Sequence, residues 1–484
     1  MNVVIVNPPN IDKESYIARS ADRWPHRVKR GRLFSHKMFP KYPLYLMYGA
    51  ACLEKAGFEV TVIDAAERDY DIQTTMNLIK KIEPPPALTA IEISAPSRNS
   101  DLKFAKKLKE NVTTHITLLG THATVYHDDL VRNHLYIDSV IRGEFFLSLT
   151  ELAKSLRNKS GLSQVKGITY RDNNEVQINE DMPLVEDLDS LPLPARNLLD
   201  LKRYLMGHYT YKPQLLMATS MGCPYKCIFC LWPKVLYRGK TRFRSPESVA
   251  EEMLILKERY GAREIYFDDD CFNIGIPRVI DICREIIKNK VGVPWITEMR
   301  CNNVNYEMLK MMKKAGCIKI LYGVESGNQE ILDKAMKNIT LNQIREAVRL
   351  TKKAGIKTHA TFMFGLPGET KATINQTIEF AKELNSDTIQ CSIALPYPGT
   401  DFYELAKKEG SLKVKDWLDF DGELCGVIEY ENLSKEMISG LVNRMYKEFY
   451  TNPKHIIKQV LSIRSLSDIK RFINLGISGL RRFS

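Results

Sequence analysis

The segment Ser220-Met221-Gly222-Cys223-Pro224-Tyr225-Lys226-Cys227-Ile228-Phe229-Cys230 places three thiols in one short loop at C-x3-C-x2-C spacing. Three thiolates held this way can wrap a cubane iron–sulfur cluster, ligating three irons and leaving the fourth open. An open iron can chelate a substrate or cofactor, which a four-cysteine electron-transfer site cannot do. A closed structural zinc site needs a fourth Cys or His at suitable spacing, and none adjoins this loop. Cys223, Cys227 and Cys230 are therefore the candidate metal ligands. Cys271, Cys283, Cys301, Cys317 and Cys391 are scattered over apolar or helical stretches and read as packing residues, with no auxiliary cluster.

The loop directly follows the first strand of a long strand–helix series. Strands are predicted over Leu215 to Ser220, Glu264 to Asp270, Trp295 to Arg300, Lys319 to Ser326, Thr358 to Gly365 and Asp387 to Ala394. Helices such as Pro246 to Tyr260, Ile276 to Asn289 and Leu341 to Ala354 separate them. Six such units without a Gly-rich dinucleotide fingerprint predict a partial barrel whose chemistry lies at the strand C-termini. Upstream, strands over Val3 to Asn7, Phe58 to Asp64, Leu88 to Ser94, His115 to Leu119 and Ile137 to Arg142 alternate with helices, the first over Leu44 to Ala56 and closed by Gly57. That alternation predicts a parallel, doubly wound sheet with its ligand crevice beyond the strand C-terminal ends. Those ends carry Asn7-Pro8-Pro9, Ser94-Ala95-Pro96, Gly120-Thr121-His122 and Gly143-Glu144. Between the two series, Val165 to Arg171 and Glu175 to Asn179 flank the turn Asp172-Asn173-Asn174, and Leu191-Pro192-Leu193-Pro194 reads as an extended connector.

At 484 residues the chain calls for several domains, and 44% apolar with 26% charged residues is an ordinary globular balance that excludes fibrous and largely disordered readings. No run approaches the ~18 apolar residues of a membrane span, and the N-terminal stretch Met1 to Pro9 lacks the features of a signal peptide. A cytoplasmic protein with reduced thiols is expected. The net charge of +12 is concentrated in residues 19–41, with eight Lys/Arg against Asp22, and residues 454–484, with seven against Asp468. Both patches suit either an anionic partner, such as phosphate groups or a membrane surface, or a solubilising face.

The cysteine triplet, with Phe229 just before its last member, resembles the signature of radical S-adenosylmethionine (SAM) enzymes. The resemblance spans residues 205 to 430. Glu264 to Asp270 resembles the second strand of that family, whose acidic end lies near the SAM amino group. Trp295 to Arg300 resembles the third, ending in a base that can face the SAM carboxylate. Gly323-Val324-Glu325-Ser326-Gly327 resembles the fourth, whose carboxylate can accept from the ribose hydroxyls. Gly365-Leu366-Pro367-Gly368-Glu369-Thr370 and Pro396-Tyr397-Pro398-Gly399-Thr400 resemble the loops after strands five and six. The resemblance implies a [4Fe-4S] cluster on Cys223, Cys227 and Cys230, SAM on its open iron, Phe229 near adenine, and Asp269, Arg300, Glu325 and Ser326 around SAM. The residues alone leave other roles open: a helix N-cap among Asp268 to Asp270, a surface ion pair for Arg300, rim support for Glu325.

The first 145 residues resemble the cobalamin-binding domain of class B radical SAM enzymes. This rests on Asn7-Pro8-Pro9, on Tyr42-Pro43-Leu44-Tyr45-Leu46 leading into Leu53 to Asp64, on Gly120-Thr121-His122-Ala123-Thr124 and on Ile141-Arg142-Gly143-Glu144. It implies cobalamin contacts from Asn7, Pro8, Ser94, Gly120, Thr121, His122, Gly143 and Glu144. No D-x-H-x-x-G segment is present to supply a histidine to cobalt from below, and Gly120-Thr121 stands where the family more often has two glycines. His122 also suits a helix cap or a buried hydrogen bond. Methylthiotransferases share the layout but carry a second cysteine triplet in this domain, which here has only Cys52.

The expected architecture is α/β: a doubly wound Rossmann-like cobalamin-binding domain (1–145), a helix, hairpin and linker (146–204), a partial (β/α)6 TIM-type radical SAM barrel (205–430) and a helical, basic C-terminal tail (431–484). The expected activity is C-methylation of an unactivated carbon, a 5'-deoxyadenosyl radical removing hydrogen and cobalamin delivering methyl. Alternatives are a cyclase, oxidase or carbon–carbon bond-forming enzyme without methyl transfer, or a non-catalytic corrinoid or iron–sulfur sensor. No residue is assigned as a catalytic acid or base. The expected partners are a small-molecule or lipid-like substrate and a reductant such as ferredoxin or flavodoxin, with no nucleic acid. In the tail, Ile456, Ile457, Val460, Leu461, Ile469, Phe472 and Ile473 recur at helical spacing among basic residues. Such a stripe suits peripheral membrane contact or packing on the parent domain.

Overall fold

The computed structural model describes residues 1–10, 15–19, 25–29, 41–205, 209–420 and 426–461. Five parallel strands form the first sheet: β1 (Asn2–Asn7), β2 (Glu59–Asp64), β3 (Leu88–Glu92), β4 (His115–Leu119) and β5 (Ser139–Ile141). β1 and β3 are buried along their whole length, as continuous apolar strands covered on both faces must be. The sheet order begins 2-1-3-4-5, so the strand sequence reverses between β1 and β3. A crevice opens at such a switch point, and Asn7 and Ser94 stand at its two lips.

The sheet does not stop near residue 145. β6 (Ile168–Asp172) pairs antiparallel with β5, and β7 (Glu175–Ile178) pairs with β6. The hairpin read as part of a connecting segment thus completes the first sheet. β5 is only three residues long, and the hairpin covers its open edge. Arg142 locks this addition by donating to the Ile168 carbonyl and to Thr169 Oγ1, both at 2.8 Å.

The second sheet holds six parallel strands in chain order: β8 (Gln214–Met217), β9 (Glu264–Phe267), β10 (Trp295–Arg300), β11 (Cys317–Glu325), β12 (Lys357–Phe364) and β13 (Thr388–Ile393). This is the open, partial barrel the strand–helix pattern predicts. β11 bulges between Gly323 and Glu325 in its pairing with β12, which re-aims the residues at its C-terminal end. Helix Lys435–Tyr450 closes the last edge, its Tyr446 hydroxyl accepting from Cys391 N at 2.9 Å.

One apolar core runs from the first sheet into the barrel. At the junction the Tyr45 and Trp232 rings meet edge to face at 4.8 Å, and the Tyr45 hydroxyl donates to the Asp268 carbonyl at 3.3 Å. The buried Glu252 carboxylate holds Arg196, from the connector, at 2.6 Å, and also Arg244. In the tail, helix Pro453–Leu461 buries His455 against Phe449 and leaves Ile456, Ile457, Val460 and Leu461 exposed. Ile469, Phe472 and Ile473 lie outside the described residues, as does most of the basic stretch 19–41. Among the described residues, no helix is long and apolar enough to cross a membrane.

Candidate active site

The cysteine loop leaves the C-terminal end of β8 and is pinned on every side. Asp269, just past β9, accepts from Thr219 N at 2.6 Å and Ser220 N at 2.9 Å, while Asp270 accepts from Gly222 N at 2.9 Å. Gly222 has φ +90°, and a Cβ there would collide with the Lys240 carbonyl. Farther along, Ile228 N donates to the Ala335 carbonyl at 3.1 Å and Phe402 N to the Ile228 carbonyl at 3.0 Å. Cys223 and Cys227 are buried, Cys230 is half-buried, and all three are free thiols. Among the described residues no three His, Cys, Asp or Glu side chains gather tightly enough for a single metal ion; a cubane takes its thiolates at separate irons.

The surroundings favour the thiolate, the form an iron cluster needs, at two of the three cysteines, while Cys230 is raised, first by its hydrogen bond to Cys227 and then by burial. Cys227 is pulled down to about 6, chiefly by a hydrogen bond from Cys230 and, against its burial, by the Lys337 and Arg300 cations. Cys223 is lowered by a hydrogen bond from Cys271, again against burial. Cys271, read as a packing residue, is thus a neighbour of the first cysteine of the loop. The Arg300 guanidinium donates from Nη1 to Cys227 Sγ at 3.3 Å and lies 3.7 Å over the Tyr225 ring. At 6% exposure Arg300 makes no surface ion pair.

Glu325, at the end of β11, is buried with φ +65° and receives Lys337 Nζ at 2.6 Å. Despite the cost of burial, the Glu325 carboxylate and Cys227 keep the Lys337 ammonium charged. Phe229 is buried, with Lys337 Nζ 5.8 Å from its ring centre. Phe229 thus sits in the loop itself, Arg300 reaches Cys227 and Glu325 approaches through Lys337, whereas two expected SAM contacts are engaged elsewhere. The Asp269 oxygens are taken by the loop backbone and by Thr219 Oγ1 at 2.5 Å. Ser326 faces Thr377 Oγ1 at 3.2 Å and caps Asn328 N.

Across the junction, the ends of β1 and β3 are knitted by a network the sequence did not disclose. Arg19 Nη1 donates to Asn7 Oδ1 and to the Pro8 carbonyl, both at 3.2 Å, and Nη2 reaches Asp101 at 2.8 Å. Ser94 meets Ser97 at 2.7 Å, and Ser97 donates to Asp101 at 2.5 Å. Both charges are fully buried, so Arg19 belongs to this crevice and not to a basic surface. Gly120, φ +105°, would bring a Cβ within 3.0 Å of the Ile93 carbonyl, and opens the buried turn Thr121-His122. His122 is 3% exposed, and among the described residues neither ring nitrogen has a hydrogen-bond partner. Burial first, then Arg98, pushes it down to about 3, so the ring is neutral. It packs on Tyr126 at 4.8 Å and on Trp417, from the segment after β13, at 4.9 Å.

The remaining expected pair serves the junction. Gly143 N donates to Thr124 Oγ1 at 3.0 Å, while Glu144 accepts from Val185 N at 2.9 Å and pairs with Arg242 at 2.9 Å, just beyond the cysteine loop. Gly399 keeps the two sides close: a Cβ would come within 2.8 Å of both Val125 and Val235. The His122 helix, Thr121–Val125, thereby lies against Trp232–Val235, the first helical turn after Cys230. Arg19, Asp101, Lys337 and Trp417 are the residues that sequence reasoning missed. Only the i, i+4 spacing of Ser97 and Asp101 hinted at any of them.

Residues 217–381 match the profile of the radical SAM superfamily. An uncharacterized methyltransferase of Pyrococcus horikoshii is 32% identical over 419 residues, covering 86% of this chain and 90% of that protein. The anaerobic magnesium-protoporphyrin IX monomethyl ester cyclase of Rubrivivax gelatinosus is 28% identical, covering 76% of this chain and 66% of the cyclase. Among solved structures, the radical SAM methyltransferase TsrM of Kitasatospora setae, with cobalamin and a [4Fe-4S] cluster bound, superposes with a TM-score of 0.67 at 19% identity, over 85% of this chain and 79% of TsrM. A three-cysteine loop on the first barrel strand, a 2-1-3-4-5 domain before it and a well-covered relative above 30% identity lead to one conclusion: the chain belongs to the class B radical SAM enzymes.

Proposed function

We propose that this enzyme is a cobalamin-dependent radical SAM C-methyltransferase acting on an unactivated carbon. The observation that carries the reading is the meeting of two built sites at one junction. The cysteine loop with Arg300, Lys337 and Glu325 lies on one side, and the switch-point crevice with His122 lies on the other. Their donor sets fit the groups. Three free thiols, two beside cations or donors, fit a cluster, and a buried imidazole with two unpartnered nitrogens fits a large, amide-rimmed corrinoid.

When bound, the cluster supplies an electron for reductive cleavage of SAM and the corrinoid carries the methyl group. Cys223, Cys227 and Cys230 would hold the cluster. Arg300 presents positive charge for the SAM carboxylate, Glu325 offers acceptors to the ribose hydroxyls, and Phe229 provides an apolar face for adenine. Asp269 orients the site indirectly by fixing the loop backbone. Asn7, Pro8, Ser94, Gly120, Thr121 and His122 would line the corrinoid, while Gly143 and Glu144 hold the two domains in register. Burial of these groups excludes water from the reacting centre.

The substrate is assigned as a small or lipid-like molecule, with ferredoxin or flavodoxin as reductant. The exposed apolar face of Ile456, Ile457, Val460 and Leu461 supports peripheral membrane contact by a cytoplasmic enzyme. The likeness to a cyclase supports a second reading, ring formation without methyl transfer. Anaerobic reconstitution with iron, sulfide and hydroxocobalamin tests the proposal. Retained cobalamin, 5'-deoxyadenosine formation and a product heavier by one methylene are expected. Deoxyadenosine with no retained cobalamin would favour the second reading, and cofactor binding without SAM turnover would mean a sensor.

A further inference from the structure

Lys337 lies in no motif, yet it is among the most constrained side chains at the barrel mouth. It is 5% exposed, and its neighbours Met336 and Asn338 both have left-handed backbones, at φ +52° and +51°. Non-glycine residues hold that conformation only where the surroundings over-determine it. The turn is tied to the cysteine loop by Ile228 N donating to the Ala335 carbonyl at 3.1 Å, and to the end of β10 by Arg300 Nη2 donating to the Lys337 carbonyl. Room for the ammonium comes from a missing side chain: a Cβ on Gly323 would lie 2.9 Å from Lys337 Nζ and 2.6 Å from Glu325 Oε1.

The ammonium lies against the cysteine loop: Lys337 Nζ is 5.8 Å from the centre of the Phe229 ring, which stands between Cys227 and Cys230 in the chain, and it takes Glu325 Oε1 as its counter-ion at 2.6 Å. With Arg300 it makes two fixed cations beside the second cysteine.

We propose that Lys337 is a positioning residue that sets the reduction potential of the cluster and holds Glu325 for SAM. The inference rests on the proposed function. Reduction adds a negative charge to a group already ligated by three thiolates, and a buried ammonium nearby stabilises the reduced form. Glu325 serves as its counter-ion, which lets the ammonium stay charged in a buried position beside the loop.

The test is an EPR-monitored redox titration of the reconstituted holoenzyme, with and without SAM. Lys337→Met is expected to disfavour reduction at least tenfold, a fall of about 59 mV for a one-electron couple, and to weaken SAM binding. Lys337→Arg retains the charge and should restore the potential. Glu325→Gln should leave the potential unchanged or raise it, while weakening SAM binding. Because Lys337→Met strands a buried carboxylate, the Lys337→Met/Glu325→Gln double variant serves as the folding control: it should melt near the wild-type temperature and keep the low potential. A wild-type potential in loaded Lys337→Met, or its return in the double variant, would overturn the inference alone. Failure of the wild-type protein to assemble a cluster would overturn the proposed function with it.

Discussion

At the barrel mouth, two buried cations stand beside Cys227, one of them paired with a carboxylate. The crevice across the junction has one buried ion pair, Arg19–Asp101, consumed in tying its lips together, and presents a neutral imidazole among aromatic rings. The two sites adjoin through the contact of helices Thr121–Val125 and Trp232–Val235, and both are buried, so burial alone does not distinguish them. Their charges do. A reducible cluster and a zwitterionic amino acid end require fixed charges that are already oriented. A broad corrinoid requires area, backbone approach and scattered hydrogen-bond partners. The proposed function assigns the charged site to the cluster and SAM and the neutral one to the corrinoid.

The largest effect that would sharpen this contrast is expected from Cys227→Ala. Cluster absorption and deoxyadenosine formation should vanish while cobalamin is retained, as optical spectra of the desalted protein would reveal; retained SAM cleavage would break the assignment. Next, Asp101→Asn strands the buried Arg19 guanidinium, which should cost about 3–5 kcal/mol. Chemical denaturation should record that loss together with poorer cobalamin retention, and the cysteine loop should still take up iron and sulfide. A smaller effect of mixed sign is expected of His122→Phe. Removing two unpartnered nitrogens should stabilise the cofactor-free protein by about 1 kcal/mol, yet weaken cobalamin binding about tenfold; unchanged binding would remove His122 from the corrinoid site.

The smallest effect concerns a buried carboxyl at the barrel mouth that pairs with no cation among the described residues. Glu369 accepts from Gly365 N and from Leu366 N, and burial, outweighing those bonds, pushes it up to about 8 from an ordinary 4.5. The folded state therefore binds the proton more tightly than the unfolded state. Its contribution to stability is complete below about pH 4.5 and is lost as pH rises through 8. Thermal melts across that window should slope downward in the wild type and be flatter in Glu369→Gln. Equal slopes would mean that Glu369 is ionised in the fold.

Much of this was legible in the chain. The C-x3-C-x2-C loop is local, so its ligands could be read without any fold, and strand–helix alternation over both halves follows from hydrophobic periodicity. The hairpin at Ile168–Ile178 was also readable as a hairpin, but its membership of the first sheet was not, because edge pairing depends on which strand is left open. Asp269 illustrates the same limit: its position after β9 suggested a cofactor contact, and only the approach of Thr219 and Ser220 revealed a backbone anchor. Arg19 looked like one charge in a basic run until the fold placed it 82 positions away in sequence from its partner Asp101. Sequence by itself determined the three-cysteine loop proposed to hold the cluster and the order of elements, because each depends on neighbours within a few residues. The tertiary structure decided which charges face the thiols, which carboxylates are spent on backbone, and how Lys337 and Arg19 are used. Those roles arise from Coulomb and packing contacts between residues far apart in the chain, and no local pattern encodes them.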